Sequence, residues 1–341
     1  MPGTGASTKS VDDYLGPGDQ RFFSAGYRRV DYLSGNVTAE TANDCSGLLA
    51  TNIRLNYPGD WSRKVSRGAL RPHLSTIDAI MLAAQLGELY LTHAYRLDDQ
   101  ARQRMWVRSL RIRAGATPDE ELEAVPLTIR PLRTDGSTVV LDARIGAMRA
   151  RCEIAGVDGE SIAGTAVYAG PEELLGSAEN RYYGTGFTRR GHRIDELSID
   201  VADRSAVALV SYTGAEVGTA GLGGAYQPAP TMIDLFATSL QLAQILLYET
   251  DGMSRGESNT LWMRGTDLVV DSPQGTLKSG EPLRTSLRDL DLLTMNGALW
   301  RTADIHGSLG PVSMRCAVAH ALPATTTPDV HTAPAEIGSP S

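Results

Sequence analysis

Asp78 and Asp234 sit in twin settings. Asp78 lies in PHLSTIDAIMLAAQLGELYLTH, which begins at Pro72, and Asp234 in PAPTMIDLFATSLQLAQILLYE, which begins at Pro228. A carboxylate half-buried among apolar neighbours has its pKa pushed toward neutrality, which suits it to moving protons. The spacings Ser75-x-x-Asp78 and Thr231-x-x-Asp234 also fit a capping box, in which an N3 acid reaches back to the N-cap amide. An acid in the first turn further suits the positive end of the helix dipole. Catalyst and cap are therefore both open at each position.

Other candidates cluster around these acids. His73 lies one turn before Asp78, where it could move a proton or sit solvated in a loop. Gln85 and Gln241 fall two turns beyond each aspartate on the same face, so they could hydrogen-bond a substrate or anchor a neighbouring strand. Ser75 and Thr231 join them as substrate-binding candidates. Arg28-Arg29 and Arg189-Arg190 recur as tandem pairs ahead of each half's strands; Arg189 and Arg190 could grip a phosphate or remain solvated. The glycine-rich AGLGGAYQPAP from Ala220 lacks a following Lys-Ser/Thr, so it is a turn or a pocket edge and no P-loop. No metal cluster, nucleophile elbow or dinucleotide fingerprint is present in the sequence.

The elements that hold these residues are duplicated. A shift of 156 residues superposes Pro72 on Pro228, Ile77 on Ile233, Asp78 on Asp234, Gln85 on Gln241, Trp106 on Trp262 and Arg108 on Arg264. Further on, LGPVSMRCAVAH from Leu309 echoes IGAMRARCEIAG from Ile145. Each unit reads as a short strand, a helix of about 20 residues, and then strand-like runs with partial alternation. The run Ala79–Ala84 is apolar all round, so that helix is buried rather than laid on a surface. A buried helix followed by antiparallel strands predicts an α+β double hot-dog, two fused units each with a sheet around a central helix. The expected boundaries are a flexible N-terminus at 1–18, a first unit at 19–168, a connection at 169–186, a second unit at 187–321 and a disordered tail at 322–341.

Composition narrows the class. The 341 residues carry a formal charge of −8, which argues against a nucleic-acid partner. No stretch approaches the roughly 18 apolar residues of a membrane span, and the opening has no apolar core of signal-peptide length. Three cysteines, odd in number and far apart, imply neither a disulfide framework nor a metal site. A cytoplasmic protein with no metal is the simplest expectation.

Placement on the helix adds to the chemistry. In hot-dog enzymes of acyl-thioester chemistry the central helix begins beside the acyl tunnel, and polyketide dehydratases carry Pro-x-x-x-Asp there, as in Pro230-Thr-Met-Ile-Asp234. Those dehydratases also use a histidine upstream of the helix. None lies between Asn56 and Arg71 or between Tyr212 and Gln227, which disfavours ordinary dehydration. Asp234 has the closer signature, whereas Asp78 has His73 nearby.

The stretch SVDDYLGPGDQRFFSAGYRRVDY, together with the twin helices, resembles the avirulence protein D (AvrD) family, over roughly Val11 to His320. The resemblance implies synthesis of syringolide-type signals, in which a β-ketoacyl group from a thioester is joined to a ketopentose. A looser kinship links the chain to the A-factor biosynthesis hot-dog proteins, which have an acid where Asp78 and Asp234 stand. The resulting expectation is an acyltransferase-like enzyme of secondary metabolism. Its donor is an acyl carrier protein or CoA thioester, its acceptor a small sugar or polyol, and it needs no further cofactor. It is a pseudo-dimeric monomer or a homodimer. The alternatives are a hydroxyacyl-thioester dehydratase or isomerase, and a non-catalytic acyl-binding protein.

Overall fold

The strands owe their placement to alternation. Along Gly47–Asn56 buried and exposed residues alternate, which puts one sheet face on a core and the other in water. The structure is a computed structural model that describes residues 9–42, 46–62, 71–258, 261–273, 280–295 and 297–323. The first half runs α1 (Val11–Leu15), β1 (Asp31–Ser34), β2 (Val37–Thr41), β3 (Gly47–Asn56), α2 (Thr76–Tyr95), α3 (Asp99–Arg104), β4 (Trp106–Arg113), β5 (Val125–Asp135), β6 (Thr138–Ile145), β7 (Met148–Ala155) and β8 (Gly164–Tyr168). The second half runs α4 (Pro171–Leu175), β9 (Arg190–Asp200), β10 (Ser205–Gly214), α5 (Met232–Asp251), β11 (Trp262–Val270), β12 (Glu281–Met295), β13 (Ala298–Leu309) and β14 (Val312–Ala321).

All these strands join one antiparallel sheet of 14 strands, ordered β8-β2-β3-β5-β6-β7-β4-β11-β14-β13-β12-β10-β9, with β1 on β3. The order reads nearly the same from either end, with the β4–β11 pair at its middle. The two halves share this one sheet because β4 and β11 bond edge to edge. At the centre of that junction Arg111 faces Asp267, its own repeat equivalent 156 residues on, with Nε 2.6 Å from the carboxylate.

Each long helix lies against the strands of its own half. Every residue of α2 except its last, Tyr95, is buried. Such a helix gains its stability from packing rather than from propensity. Gly87 allows the closest approach, since a Cβ there would meet Ile154 Cδ1 at 2.4 Å. The helices end on left-handed residues, Arg96 (φ 52) and Gly252 (φ 59), which turn the chain away.

The repeat extends further toward each half's start than expected. A shift of 160 residues superposes Leu15-Gly16 on Leu175-Gly176, Arg21 on Arg181, Gly26 on Gly186 and Arg29 on Arg189. The segment expected as a connection, 169–186, thus folds as the counterpart of residues 9–26: a short helix, then a turn of 3-10 helix at Ala178–Asn180, matching Gly18–Gln20. Of the expected flexible N-terminus, residues 9–18 hold α1, capped by Ser10 and Asp13. Residues 1–8, and 324–341 of the expected tail, lie outside the described residues. The leading segments cross over, α1 packing on α5 and α4 on α2. Among the described residues no helix is long and apolar enough to cross a membrane.

Candidate active site

The chemistry begins at the two helix starts. Ser75 caps α2 and Thr231 caps α5, and in both the box is complete: the cap hydroxyl accepts from the aspartate N–H, and the aspartate accepts from the cap N–H. Both acids are deeply buried, Asp78 at 0% and Asp234 at 1% exposure. They differ in what surrounds them.

Asp78 sits in a cage of neutral donors. Tyr32, on β1, donates to Oδ1 at 2.5 Å; Tyr57, just past β3, donates to Oδ2; and the Ser75 N–H donates to Oδ2 at 2.7 Å. Among the described residues no cation pairs with it. Burial raises its pKa, and the hydrogen bonds from Tyr32, Tyr57 and Ser75 only partly oppose the rise. Burial likewise holds both phenols well above their usual range, so they stay neutral donors.

Asp234 sits in a cationic cage. Arg190 Nη1 lies 3.0 Å from Oδ2 and His192 Nε2 2.8 Å from Oδ1. Tyr212 donates to Oδ2 at 3.0 Å, Tyr182 to Oδ1 at 3.3 Å, and the Thr231 N–H to Oδ2 at 2.8 Å. The Arg190 guanidinium is stacked over the rings of Tyr212 and Tyr182, at 4.2 and 5.0 Å from their centroids. Burial alone would raise this carboxyl, but Arg190, His192 and the Thr231 amide together hold it well below the usual carboxylate range. It is a fixed anion with its lone pairs filled.

The two cages are versions of one design. The 160-residue shift places Val30 opposite Arg190, Tyr32 opposite His192 and Phe22 opposite Tyr182. Arg190 is thus buried on a carboxylate rather than solvated, and it also donates to the Ala229 carbonyl at 3.2 Å. Arg189 stays at the surface, donating to the Glu179 carbonyl. Gln241 is an anchor: Nε2 donates to the Phe23 and Ala237 carbonyls at 3.0 and 3.1 Å. Gln85 is buried in α2. His73 is not among the described partners of Asp78; it stacks near Trp262, with ring centroids 6.4 Å apart. The partners missed by sequence reasoning are Tyr32, Tyr57, Tyr182, His192 and Tyr212. The 160-residue repeat, read to its end, pairs Tyr32 with His192 and was the available signal.

One cavity opens at the start of α2. It holds about 390 Å³ and lies between the halves, within the usual range for small-molecule sites. Phe22, Trp61, Met148, Trp262, Met263 and Trp300 supply an apolar wall, while Arg21, His73, Ser75, Thr76, Arg255 and Arg264 supply polar groups. Asp78 is behind this wall, in contact with its Ser75. Arg21 and Gln244, both lining the cavity, have Arg181 and Glu88 as repeat equivalents. There the Glu88 carboxylate, 3.6 Å from the Arg181 guanidinium, accepts from the Leu222 N–H of the glycine-rich turn at 3.1 Å. That turn requires Gly221, whose φ is +71 and whose Cβ would meet Glu88 Oε1 at 2.5 Å. Glycines there serve close packing onto Glu88. Among the described residues no group of three or more potential metal ligands occurs.

The family model described as Pseudomonas avirulence D protein (AvrD) matches residues 6–323. Compared by sequence with curated proteins, the chain matches none. Among solved structures it is similar to an acyl-CoA thioesterase II of Mycobacterium marinum (14% identity, 85% of this chain and 97% of the other, TM-score 0.36). It is also similar to a conserved protein with hot dog fold from Alicyclobacillus acidocaldarius (12%, 89% and 98%, TM-score 0.37). A third is the dehydratase domain of PpsC from Mycobacterium tuberculosis, in complex with C12:1-CoA (11%, 83% and 97%, TM-score 0.35). Likenesses of this size carry nothing about activity.

Proposed function

The chain belongs to the Pseudomonas avirulence D protein (AvrD) family, and on that premise we propose that it is a double hot-dog enzyme that transfers a β-ketoacyl group from a thioester to a hydroxyl of a small sugar or polyol. The observation that carries this reading is the cavity at the start of α2, whose lining combines apolar side chains suited to an acyl chain with polar ones suited to a hydroxylated acceptor.

In this reading the first half does the chemistry. Asp78, with its raised pKa, is the proton acceptor, reached from the cavity through Ser75. The acceptor hydroxyl gives its proton to Asp78, its oxygen attacks the thioester carbonyl, the C–O bond forms, and the C–S bond breaks, the sulfur taking that proton from Asp78 to leave as a thiol. The N–H of Thr76, a first-turn amide that no helical carbonyl can reach, is placed to stabilise the oxyanion of the tetrahedral intermediate. Tyr32 and Tyr57 position the carboxylate. Asp234, neutralised by Arg190, serves the second half as a structural anchor.

His192 beside Asp234 favours a second reading, dehydration or isomerisation of a hydroxyacyl thioester by that pair. It ranks below the first because Arg190 holds that carboxylate as a fixed anion with its lone pairs filled. Incubation with a β-ketoacyl-CoA, with and without a ketopentose, separates them by free-thiol release and mass spectrometry. Thiol release that needs the sugar supports transfer. Water loss from a β-hydroxyacyl-CoA without thiol release supports the second reading, and turnover of neither substrate overturns both.

A further inference from the structure

The two halves carry different charge at equivalent places around the cavity. Under the 160-residue shift Arg21, which lines it, matches Arg181. Under the 156-residue shift Gln244 and Arg255, which also line it, match Glu88 and Asp99. In the second cluster both cations have acids: Glu88 lies 3.6 Å from Arg181, and Asp99 pairs with Arg102. The glycine-rich turn packs onto Glu88 there, through the Leu222 N–H. At the cavity a neutral amide stands in place of the first acid and an arginine in place of the second. The same frame is thus self-neutralised and filled in one half, and cationic and open in the other.

Arg255 is the cation without an acid. It is half-buried, its Nη2 donates to the Gln20 carbonyl at 3.0 Å, and among the described ion pairs it has no carboxylate. Gln20 precedes Arg21, so this bond gathers the two arginines on one side of the cavity. Arg21 is 6% exposed and pairs at 2.6 Å with Asp12, which does not line the cavity. The buried Nε of Arg21 has no partner among the described residues. Burial, and after it the like charge of Arg255, pull the Arg21 pKa down against the opposing pull of Asp12. Among the described lining residues Asp119 is the one carboxylate, and it accepts from the Ala147 N–H at 2.7 Å. A cation taken out of water without an anion costs stability, and a bound oxyanion offsets that cost. Guanidinium forks match the oxygens of a phosphate.

We propose that Arg255 and Arg21 form an oxyanion subsite, and that the acceptor it selects is a phosphate monoester of the small sugar or polyol. The inference rests on the acyl-transfer reading and deepens it, since it names the class of acceptor. The phosphate is a handle that binds and leaves unchanged, while a hydroxyl of the same molecule is presented at Ser75 and Thr76, which line the same cavity. A space of about 390 Å³ suits a molecule short enough to touch both places. The phosphates of CoA are separated from its thioester by the whole pantetheine arm, so they fit this subsite less well.

The test measures calorimetric binding of a ketopentose phosphate, the plain ketopentose, the corresponding sugar acid and free CoA to the full chain. KM for each acceptor is then measured with a β-ketoacyl-CoA as donor. The phosphate should bind at least about 10-fold more tightly than the plain sugar or the sugar acid, as charge-assisted hydrogen bonds allow. Gln244→Glu places the second half's acid at the cavity and should abolish that preference, as should Arg255→Gln; Arg255→Lys should keep part of it. In the first two variants KM for the sugar phosphate should rise at least about 10-fold, while KM for the CoA thioester moves less than about two-fold. Should one variant fail to fold, the other makes the same comparison. Equal binding of the phosphorylated and plain sugars, equal binding of the sugar acid, displacement of the sugar phosphate by free CoA, or a preference that survives both variants overturns the proposal. Arg255-dependent binding of the sugar phosphate without thiol release keeps the subsite and sinks the acyl-transfer reading. Thiol release driven as well by the plain sugar as by its phosphate does the reverse.

Discussion

The Arg190 guanidinium lies 3.0 Å from the Asp234 carboxylate, at the position that Val30 holds in the 160-residue repeat. Differences between the repeats, Arg190 for Val30 and His192 for Tyr32, therefore give two buried acids opposite characters. A carboxylate with a cation against it is a permanent anion, whereas one held only by phenols and an amide can exchange a proton. The duplication has kept both helix caps and given the two acids different partners.

The two asparagine variants should therefore behave differently. Asp78→Asn keeps size and much of the hydrogen bonding, so it should lower turnover on the order of 10²–10⁴-fold with little change in Tm. Asp234→Asn leaves Arg190 buried without its anion, which costs about 3–5 kcal/mol, a fall in Tm on the order of 10 °C. Thiol release and melting curves measure both. Near-full activity in Asp78→Asn would falsify its role as the proton acceptor.

Stability should depend on pH with opposite sign at the two sites. Asp234 has a folded pKa below the usual range, so its contribution is complete above the unfolded value of about 3.9 and is lost as pH falls toward the folded value. The Tm gap between the native chain and Asp234→Asn should widen from about pH 2 to about pH 5 and then level off. Asp78 has a raised folded pKa, so its contribution is greatest below about pH 4 and is lost as pH rises through the folded value. Asp78→Asn should gain on the native chain as pH rises from about 4 through the folded value. Parallel pH profiles for the two variants would contradict the assigned shifts.

Glu88 and Arg181 form a buried ion pair between the halves, 3.6 Å apart at 0% and 1% exposure. Removing one partner strands the other, so Glu88→Gln should cost about 3–5 kcal/mol. Removing both charges with side chains of similar volume, as in Glu88→Met/Arg181→Met, should be close to neutral or stabilising. Denaturant titrations of the three proteins give the answer; a double variant weaker than the single one would show that the pair itself is favourable.

Trp300, on β13, lines the cavity. Replacing it with alanine lengthens the space open to an acyl chain, and each further methylene buried is worth about 0.8 kcal/mol, or about four-fold in kcat/KM. Trp300→Ala should therefore move the preferred acyl length upward by about two carbons. A series of β-ketoacyl thioesters of rising length reads this directly, and an unmoved optimum would place the acyl chain elsewhere.

Much of the architecture was legible in local sequence. The apolar run of α2, the Ser-x-x-Asp and Thr-x-x-Asp starts, the alternating strands and the 156-residue repeat all report on neighbours within a few turns or pleats, and each appears where it was expected. The sequence by itself thus determined two buried, capped helices, each followed by antiparallel strands, with an acid at both helix starts. The partners of those acids come from elsewhere in the chain: Tyr32 is on β1, His192 on β9 and Tyr212 on β10. Strand register and helix packing bring them to the carboxylates, and neither is written in a local pattern. The tandem arginines show the difference most plainly. Arg28-Arg29 and Arg189-Arg190 look alike in sequence, yet they fall one residue out of step in the repeat, so Arg190 points into the core where Val30 does. Only the tertiary structure decided which acid keeps a cation, because burial removes the water that would otherwise make the two carboxylates equivalent.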